Sequence, residues 1–244
     1  MRNIKLTIAY DGTNYKGWQA QKNGLAVQEV IEGALTKICQ KRCRVYGASR
    51  TDAGVHARGQ SANFKTLSTI PLAKIPKAFN SFLPRDVAII RAEEVTPDFH
   101  AQFNAKAKHY RYYIFNSIQR DPFKEKYSWN MPYKLNTPLM KKEAKALLGK
   151  HDFKSFQAKD KRQRTSVREI FNITIKKRES FLIIDIEGDG FLYNMARNIV
   201  GTLVEIGRGY FPPGSMKRVL INKDRALAGP TAPAKGLFLM EVKY

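Results

Sequence analysis

Ile4-Lys5-Leu6-Thr7-Ile8, followed by Val27-Gln28-Glu29-Val30-Ile31-Glu32-Gly33-Ala34-Leu35-Thr36-Lys37-Ile38, decides how this chain folds, because the hydrophobic period changes between the two stretches. In the first, Ile4, Leu6 and Ile8 alternate with polar neighbours, as in a strand with one buried face. In the second, Val27, Val30, Ile31, Leu35 and Ile38 keep helical spacing. Strand-like pieces near residues 43–48 and 58–66 follow, then a helix carrying Leu72, Ile75 and Phe79, then a strand at Asp86-Val87-Ala88-Ile89-Ile90. The order is βαββαβ. The second half repeats it: a strand at Tyr110, Tyr112 and Ile114, a helix near 137–148, strands near 168–177 and 180–187, a helix near 191–206 and a strand near 236–243. A βαββαβ unit is the ferredoxin-like arrangement, also the architecture of common RNA-binding modules. The expected fold is therefore α+β: two ferredoxin-like units with antiparallel sheets, residues 1–105 and 106–244, joined around a basic central cleft. The segment Asn116 to Thr137, with Pro122, Pro132 and Pro138 nearby, lacks clean periodicity and reads as a long connecting loop.

Charge supplies the next constraint. Of 244 residues, 43 are lysine or arginine and 21 aspartate or glutamate, a formal net charge of +22. Such an imbalance points to a polyanionic partner, either nucleic acid or an acidic membrane surface. The basic residues recur along the chain, as Lys41-Arg42-Arg44, Lys106-Lys108-Arg111, Lys159-Lys161-Arg162-Arg164 and Lys176-Lys177-Arg178, which suits a folded basic surface better than a tail. A hydrophobic content of 43% argues against disorder. No stretch approaches the roughly 20 apolar residues of a bilayer span, and Met1-Arg2-Asn3 leads straight into a strand, so no membrane association and a cytoplasmic location are expected. No basic amphipathic helix with a clean apolar face appears, which weakens the membrane-surface reading. Cys39 and Cys43, with three residues between them, and four scattered histidines form neither a disulfide framework nor a recognisable zinc site. The absence of a short-period repeat excludes solenoids.

The most unusual local sequence is Gly47-Ala48-Ser49-Arg50-Thr51-Asp52-Ala53-Gly54-Val55-His56-Ala57-Arg58-Gly59-Gln60, glycine-punctuated and placed between two expected strands. Small residues flank one carboxylate and let a substrate approach the backbone, while Arg50 or another cation can keep Asp52 ionised. An ionised carboxylate can attack carbon or remove a proton. Read alone, Arg-Thr-Asp-Ala-Gly is more often a structural turn than an active site.

The same stretch closely resembles the signature of the TruA-type tRNA pseudouridine synthases, Gly-Arg-Thr-Asp-Ala-Gly-Val-His-Ala followed by Gly-Gln, with Ser49 in place of the usual glycine. The likeness runs along nearly the whole chain. Tyr10-Asp11-Gly12-Thr13-Asn14-Tyr15-Lys16-Gly17-Trp18-Gln19 is similar to the family's first motif, and Phe99-His100-Ala101, Tyr110-Arg111-Tyr112 and His151-Asp152-Phe153 keep the family's order. Arg197-Asn198-Ile199-Val200-Gly201 and Ala228-Gly229-Pro230-Thr231-Ala232-Pro233 complete it.

Residue by residue, the resemblance makes Asp52 the catalytic aspartate, Tyr110 the aromatic that stacks on the target base and Arg197 the cation paired with Asp52. It implies isomerisation of uridine at positions 38, 39 and 40 of the tRNA anticodon stem-loop, with Asp52 as nucleophile or base, no cofactor and no metal, by a homodimer. The reaction breaks an N-glycosidic bond and rejoins C5 to C1′, which calls for a carboxylate and no redox chemistry. A flipped uridine recovers about 1–3 kcal/mol of stacking on a tyrosine face. Arg50 is expected to fill the gap left by the flipped base, and Arg58, Lys108 and Arg111 to contact RNA, whereas His56 receives no catalytic role. Gln102 replaces the family's usual arginine and should weaken one phosphate contact. Asn194 and Ala196 also depart from the pattern, and neither they nor Gln102 is expected to touch the Asp52, Tyr110, Arg197 set. The rival class is a non-catalytic RNA-binding protein, which needs the charge and the sheets but not Asp52.

Overall fold

The computed structural model describes residues 1–159 and 165–244, and two compact units emerge: Met1–Lys106 with Phe238–Tyr244, and Ala107–Leu237. Of the cluster Lys159-Lys161-Arg162-Arg164, all but Lys159 lies outside the described residues.

The first unit runs β1 (Arg2–Tyr10), α1 (Val27–Cys39), β2 (Tyr46–Gly47), β3 (His56–Thr66), α2 (Ile75–Asn80) and β4 (Val87–Val95). Strand β1 is central, antiparallel to β3 on one side and β4 on the other, and β2 pairs antiparallel with β3. This is the ferredoxin-like order. Ile4, Leu6 and Ile8 are fully buried, as their alternation predicts, and with Ile31, Leu35, Phe64, Phe79 and Ile89 they form the core. Each such side chain contributes about 1.5–3 kcal/mol on leaving water. Ile4 lies opposite Phe64 and Leu6 opposite Ala62, and the row ends with Ile8 opposite Gln60, which is also fully buried.

Two differences from expectation have local causes. Helix α1 buries Gln28 where the periodicity favours Val30 and Ile38. Gln28 earns that position by bonding: its Oε1 accepts from Ala20 N–H at 3.2 Å and its Nε2 donates to Val45 O at 3.1 Å. Strand β2 is shorter than residues 43–48, because α1 side chains satisfy the backbone just before it. Glu32 accepts from Val45 N–H at 3.0 Å, in addition to the Gln28 bond.

The second unit contains β5 (Ala107–Phe115), α3 (Pro122–Glu125), β6 (Trp129–Asn130), α4 (Thr137–Ala144), β7 (Gly149–Asp152), β8 (Val167–Arg178), β9 (Phe181–Gly188), α5 (Met195–Gly207) and α6 (Ser215–Asn222). Its strands are ordered β5-β9-β8-β7, each pair antiparallel. The 116–137 segment holds α3 and β6, and β6 pairs with β5 through Trp129 opposite Ile114. β7 and α6 carry too little periodicity to be read from sequence. The last strand, β10 (Leu237–Lys243), stands at the end of the second sequence repeat, yet Phe238–Tyr244 belongs to the first unit, where Phe238 and Leu239 pair with His56 and Ala57 of β3. The division thus returns to the first unit a strand that chain order places in the second half. No helix among the described residues is long and apolar enough to cross a membrane.

Candidate active site

Asp52 sits half-buried in a loop fixed from three sides. Buried Gln60 holds its start: Oε1 accepts from Ser49 N–H at 3.2 Å and Nε2 donates to Ser49 O at 2.7 Å. What matters at position 49 is the backbone. Ser49 has no positive φ, so a side chain replaces the family's usual glycine there without conformational strain. Thr51 is pinned twice, its hydroxyl 2.7 Å from the Tyr10 hydroxyl and its carbonyl accepting from Trp18 N–H at 3.1 Å. The turn closes with Val55 N–H donating to Asp52 O at 3.1 Å, and Gly54 supplies a φ of 75° while donating to Tyr15 O at 3.3 Å.

The Tyr10–Gln19 motif is therefore the clamp on the Asp52 loop. A Cβ on Gly12 would stand 2.0 Å from Val55 O, and one on Gly17 2.5 Å from Thr51 O. Tyr15 donates its hydroxyl proton to Asp86 at 2.6 Å; burial first, then that carboxylate, pushes its phenol far above the ordinary range. His56 is buried against Phe238, ring centroids 4.6 Å apart. Its Nδ1 accepts from Gly12 N–H at 3.0 Å and lies 3.1 Å from Asp11 Oδ1. Arg50 and Arg58 are both exposed.

In the second unit, Lys108, Tyr110 and Tyr112 lie on one face of β5 and His109 and Arg111 on the other, since side chains alternate. Arg111 is thus not brought to the Tyr110 face. It pairs with Asp185, Nε to Oδ1 at 2.7 Å and Nη2 to Oδ2 at 3.3 Å, while His109 Nε2 lies 2.6 Å from the same carboxylate. Burial pushes the Asp185 carboxyl up, but hydrogen bonds from His109 and Arg111 outweigh it and hold it below the usual range. Tyr110, 6% exposed, packs edge-on against Phe191 with centroids 4.9 Å apart.

Arg197 enters from the first turn of α5. Its Nε donates to Ala232 O at 2.7 Å and its Nη1 to Asn194 Oδ1 at 3.0 Å. The second bond corrects the expectation that Asn194 leaves the set untouched. Asn194 starts α5 in the left-handed region, φ 59°, which asparagine tolerates better than most residues, and from there it holds the guanidinium. The 228–233 segment lies against bare helix backbone: a Cβ on Gly201 would stand 1.7 Å from Pro230 O. Asn198 Oδ1 accepts from Thr231 Oγ1 at 2.6 Å and from Arg225 Nη2 at 3.1 Å. Among the described residues no His, Cys, Asp and Glu side chains are grouped as metal ligands.

A sequence model of the family described as tRNA pseudouridine synthase matches residues 6–104 and 144–244. The chain belongs to that family. Membership makes it an isomerase acting on uridine in tRNA. The tRNA pseudouridine synthase A of Thermoanaerobacter sp. is 46% identical over 244 residues, covering 100% of both chains, and that of Pelobacter propionicus is 47% identical with the same coverage. A crystal structure of a Cbf5-Nop10-Gar1 complex is weakly similar, with a TM-score of 0.37 and 11% identity over 82% of this chain and 44% of that one.

For a tRNA pseudouridine synthase, Lys108 has a notable environment. Burial first, then the Arg168 charge, pushes its ammonium down from 10.5 to about 8, with Asp189 opposing. The folded value lies below the unfolded one, so between them the unfolded chain binds more protons and stability rises with pH. Below about 8 the whole cost of the half-buried ammonium is present. Lys108→Met is expected to raise the urea midpoint at pH 7 and to lose most of that gain by pH 10.5. An equal gain at both pH values would reject burial of the charge as the cause.

Proposed function

We propose that this chain converts uridine to pseudouridine at positions 38, 39 and 40 of the tRNA anticodon stem-loop, with Asp52 as nucleophile or base. Tyr110 stacks on the flipped base, and Arg197 pairs with the Asp52 carboxylate and holds it ionised. The observation that carries this reading is the construction of the Asp52 loop: Thr51 is tied by both its hydroxyl and its carbonyl, and Gly54 turns the chain away at once. Such fixing holds a carboxylate in one place, as a reaction at a bulky, flipped nucleotide requires. The N1–C1′ bond breaks, C5 joins C1′, and the C5 proton is lost as N1 gains one, so the reaction is balanced without a co-reactant. Arg50 and Arg58, exposed beside the loop, supply phosphate contacts or fill the stack, and Lys108 adds charge beside Tyr110. Arg111 contributes mainly through Asp185. The family resemblance also carries a cytoplasmic homodimer that binds tRNA across both subunits.

Carbodiimide modification followed by primer extension on uridine-containing tRNA transcripts tests the assignment. Stops at 38, 39 or 40 after incubation with the protein are expected. Stops confined to another arm of the tRNA would overturn the positional reading while leaving the isomerase.

A further inference from the structure

Strand β2 and the loop after β4 carry an aromatic cluster outside the Asp52 loop. Tyr46 and His100 have ring centroids 5.1 Å apart, and His100 stacks on Phe103 at 4.3 Å with 29° between planes. The Arg44 guanidinium lies 5.5 Å from the Tyr46 centroid. Tyr46 is 37% exposed and Phe103 78% exposed.

The loop that presents these rings is built, not loose. Asn63 Oδ1 accepts from Ala101 N–H at 2.8 Å, and the Tyr244 hydroxyl donates to Ala101 O at 3.0 Å. Asn104 Oδ1 accepts from His100 N–H at 2.7 Å, and His100 Nδ1 accepts from Gln102 N–H at 3.2 Å. Fixing a loop so firmly while leaving a phenylalanine largely in water leaves the outer side of a two-ring stack open to a third planar group. The net charge of +22 and Arg44 beside the rings favour an anionic partner with a flat face. A nucleotide meets both requirements, because its base stacks on an aromatic ring and its phosphate pairs with arginine.

We propose that Phe103, backed by His100 and Tyr46, is a stacking platform for an unpaired nucleotide of the bound tRNA, distinct from the nucleotide that reacts, with Arg44 at its phosphate. The proposal rests on tRNA being the substrate and adds a subsite to it. Arg44 brings a cation to the cluster from β2's side, whereas position 102 in the loop is a neutral glutamine.

The test uses the full chain and a tRNA transcript, with filter binding across salt concentrations and steady-state kinetics. Phe103→Ala is expected to raise Kd and KM about 10-fold with kcat changed less than about 2-fold, and Phe103→Trp to restore both. Its salt slope should equal wild type, because no phosphate contact is lost. Arg44→Gln should instead reduce that slope by about one. Wild-type affinity in Phe103→Ala overturns the platform. So does a loss of affinity that accompanies loss of self-association by sedimentation, which would assign the rings to a contact between copies. Failure of the parent reading shows separately, as tRNA binding by the wild-type protein with no pseudouridine formed.

Discussion

Asp52→Asn is expected to leave tRNA binding unchanged and to slow pseudouridine formation about 10⁴-fold or more. The amide matches the carboxylate in size, and the ties through Ser49, Thr51, Gly54 and the Asp52 carbonyl are not altered by the substitution. An amide, however, neither attacks carbon nor takes a proton at neutral pH. Single-turnover release of tritium from tRNA carrying 5-tritiated uridine reads the chemistry, and filter binding reads the grip. A rate within tenfold of wild type would remove Asp52 from the reaction. It would then leave the loop a structural turn, which is the more frequent reading of Arg-Thr-Asp-Ala-Gly in isolation. Weakened binding with unaltered chemistry would assign Asp52 to tRNA recognition.

The strands and helices that bury one clean face were legible in the sequence because periodicity reports burial directly. Ile4, Leu6 and Ile8 in β1, and Tyr110, Tyr112 and Ile114 in β5, fall where the alternation puts them. What escaped was structure set by polar side chains at long range. Gln28 is buried in α1 because it bonds to Ala20 and Val45, and no local pattern encodes those partners. Asn198 reads as one polar residue in an apolar helix, yet it anchors Thr231 and Arg225. Nor could alternation reveal that Arg111 would be taken up by Asp185, a residue 74 positions away. The motif around Asp52 was visible through resemblance, whereas its dependence on Tyr10–Gln19 required geometry. Asn194 shows the same limit, since its left-handed backbone and its bond to Arg197 both required geometry.

That dependence makes Gly17→Ala the second large effect. Gly17 has a φ of 92°, where an L side chain costs about 1–2 kcal/mol. The new Cβ would also stand 2.5 Å from Thr51 O and 3.2 Å from both Ala53 N and Asp52 C. These are backbone atoms of the Asp52 loop, which cannot swing aside as a flexible side chain would. Either the loop or the 15–19 segment must shift, and the Trp18 N–H bond to Thr51 O, 3.1 Å long, stretches with it. A lost bond adds about 1 kcal/mol, for a total of about 2–3 kcal/mol of stability. A displacement near 1 Å at a catalytic group costs about 100-fold in rate, so kcat should fall by that factor while tRNA affinity holds, the basic surface being unaltered. Measurement below the variant's own thermal midpoint, with folding checked by circular dichroism, separates misplacement from unfolding. Gly33→Ala is the contrasting case: it lies exposed in α1 with nothing within 4 Å of its Cβ, and it should stabilise by about 1 kcal/mol without altering the rate. Wild-type turnover in folded Gly17→Ala would mean that the Gly17–Trp18 part of the clamp does not set the position of Asp52, and the source of that positioning would have to be sought in the Gln60 and Tyr10 bonds.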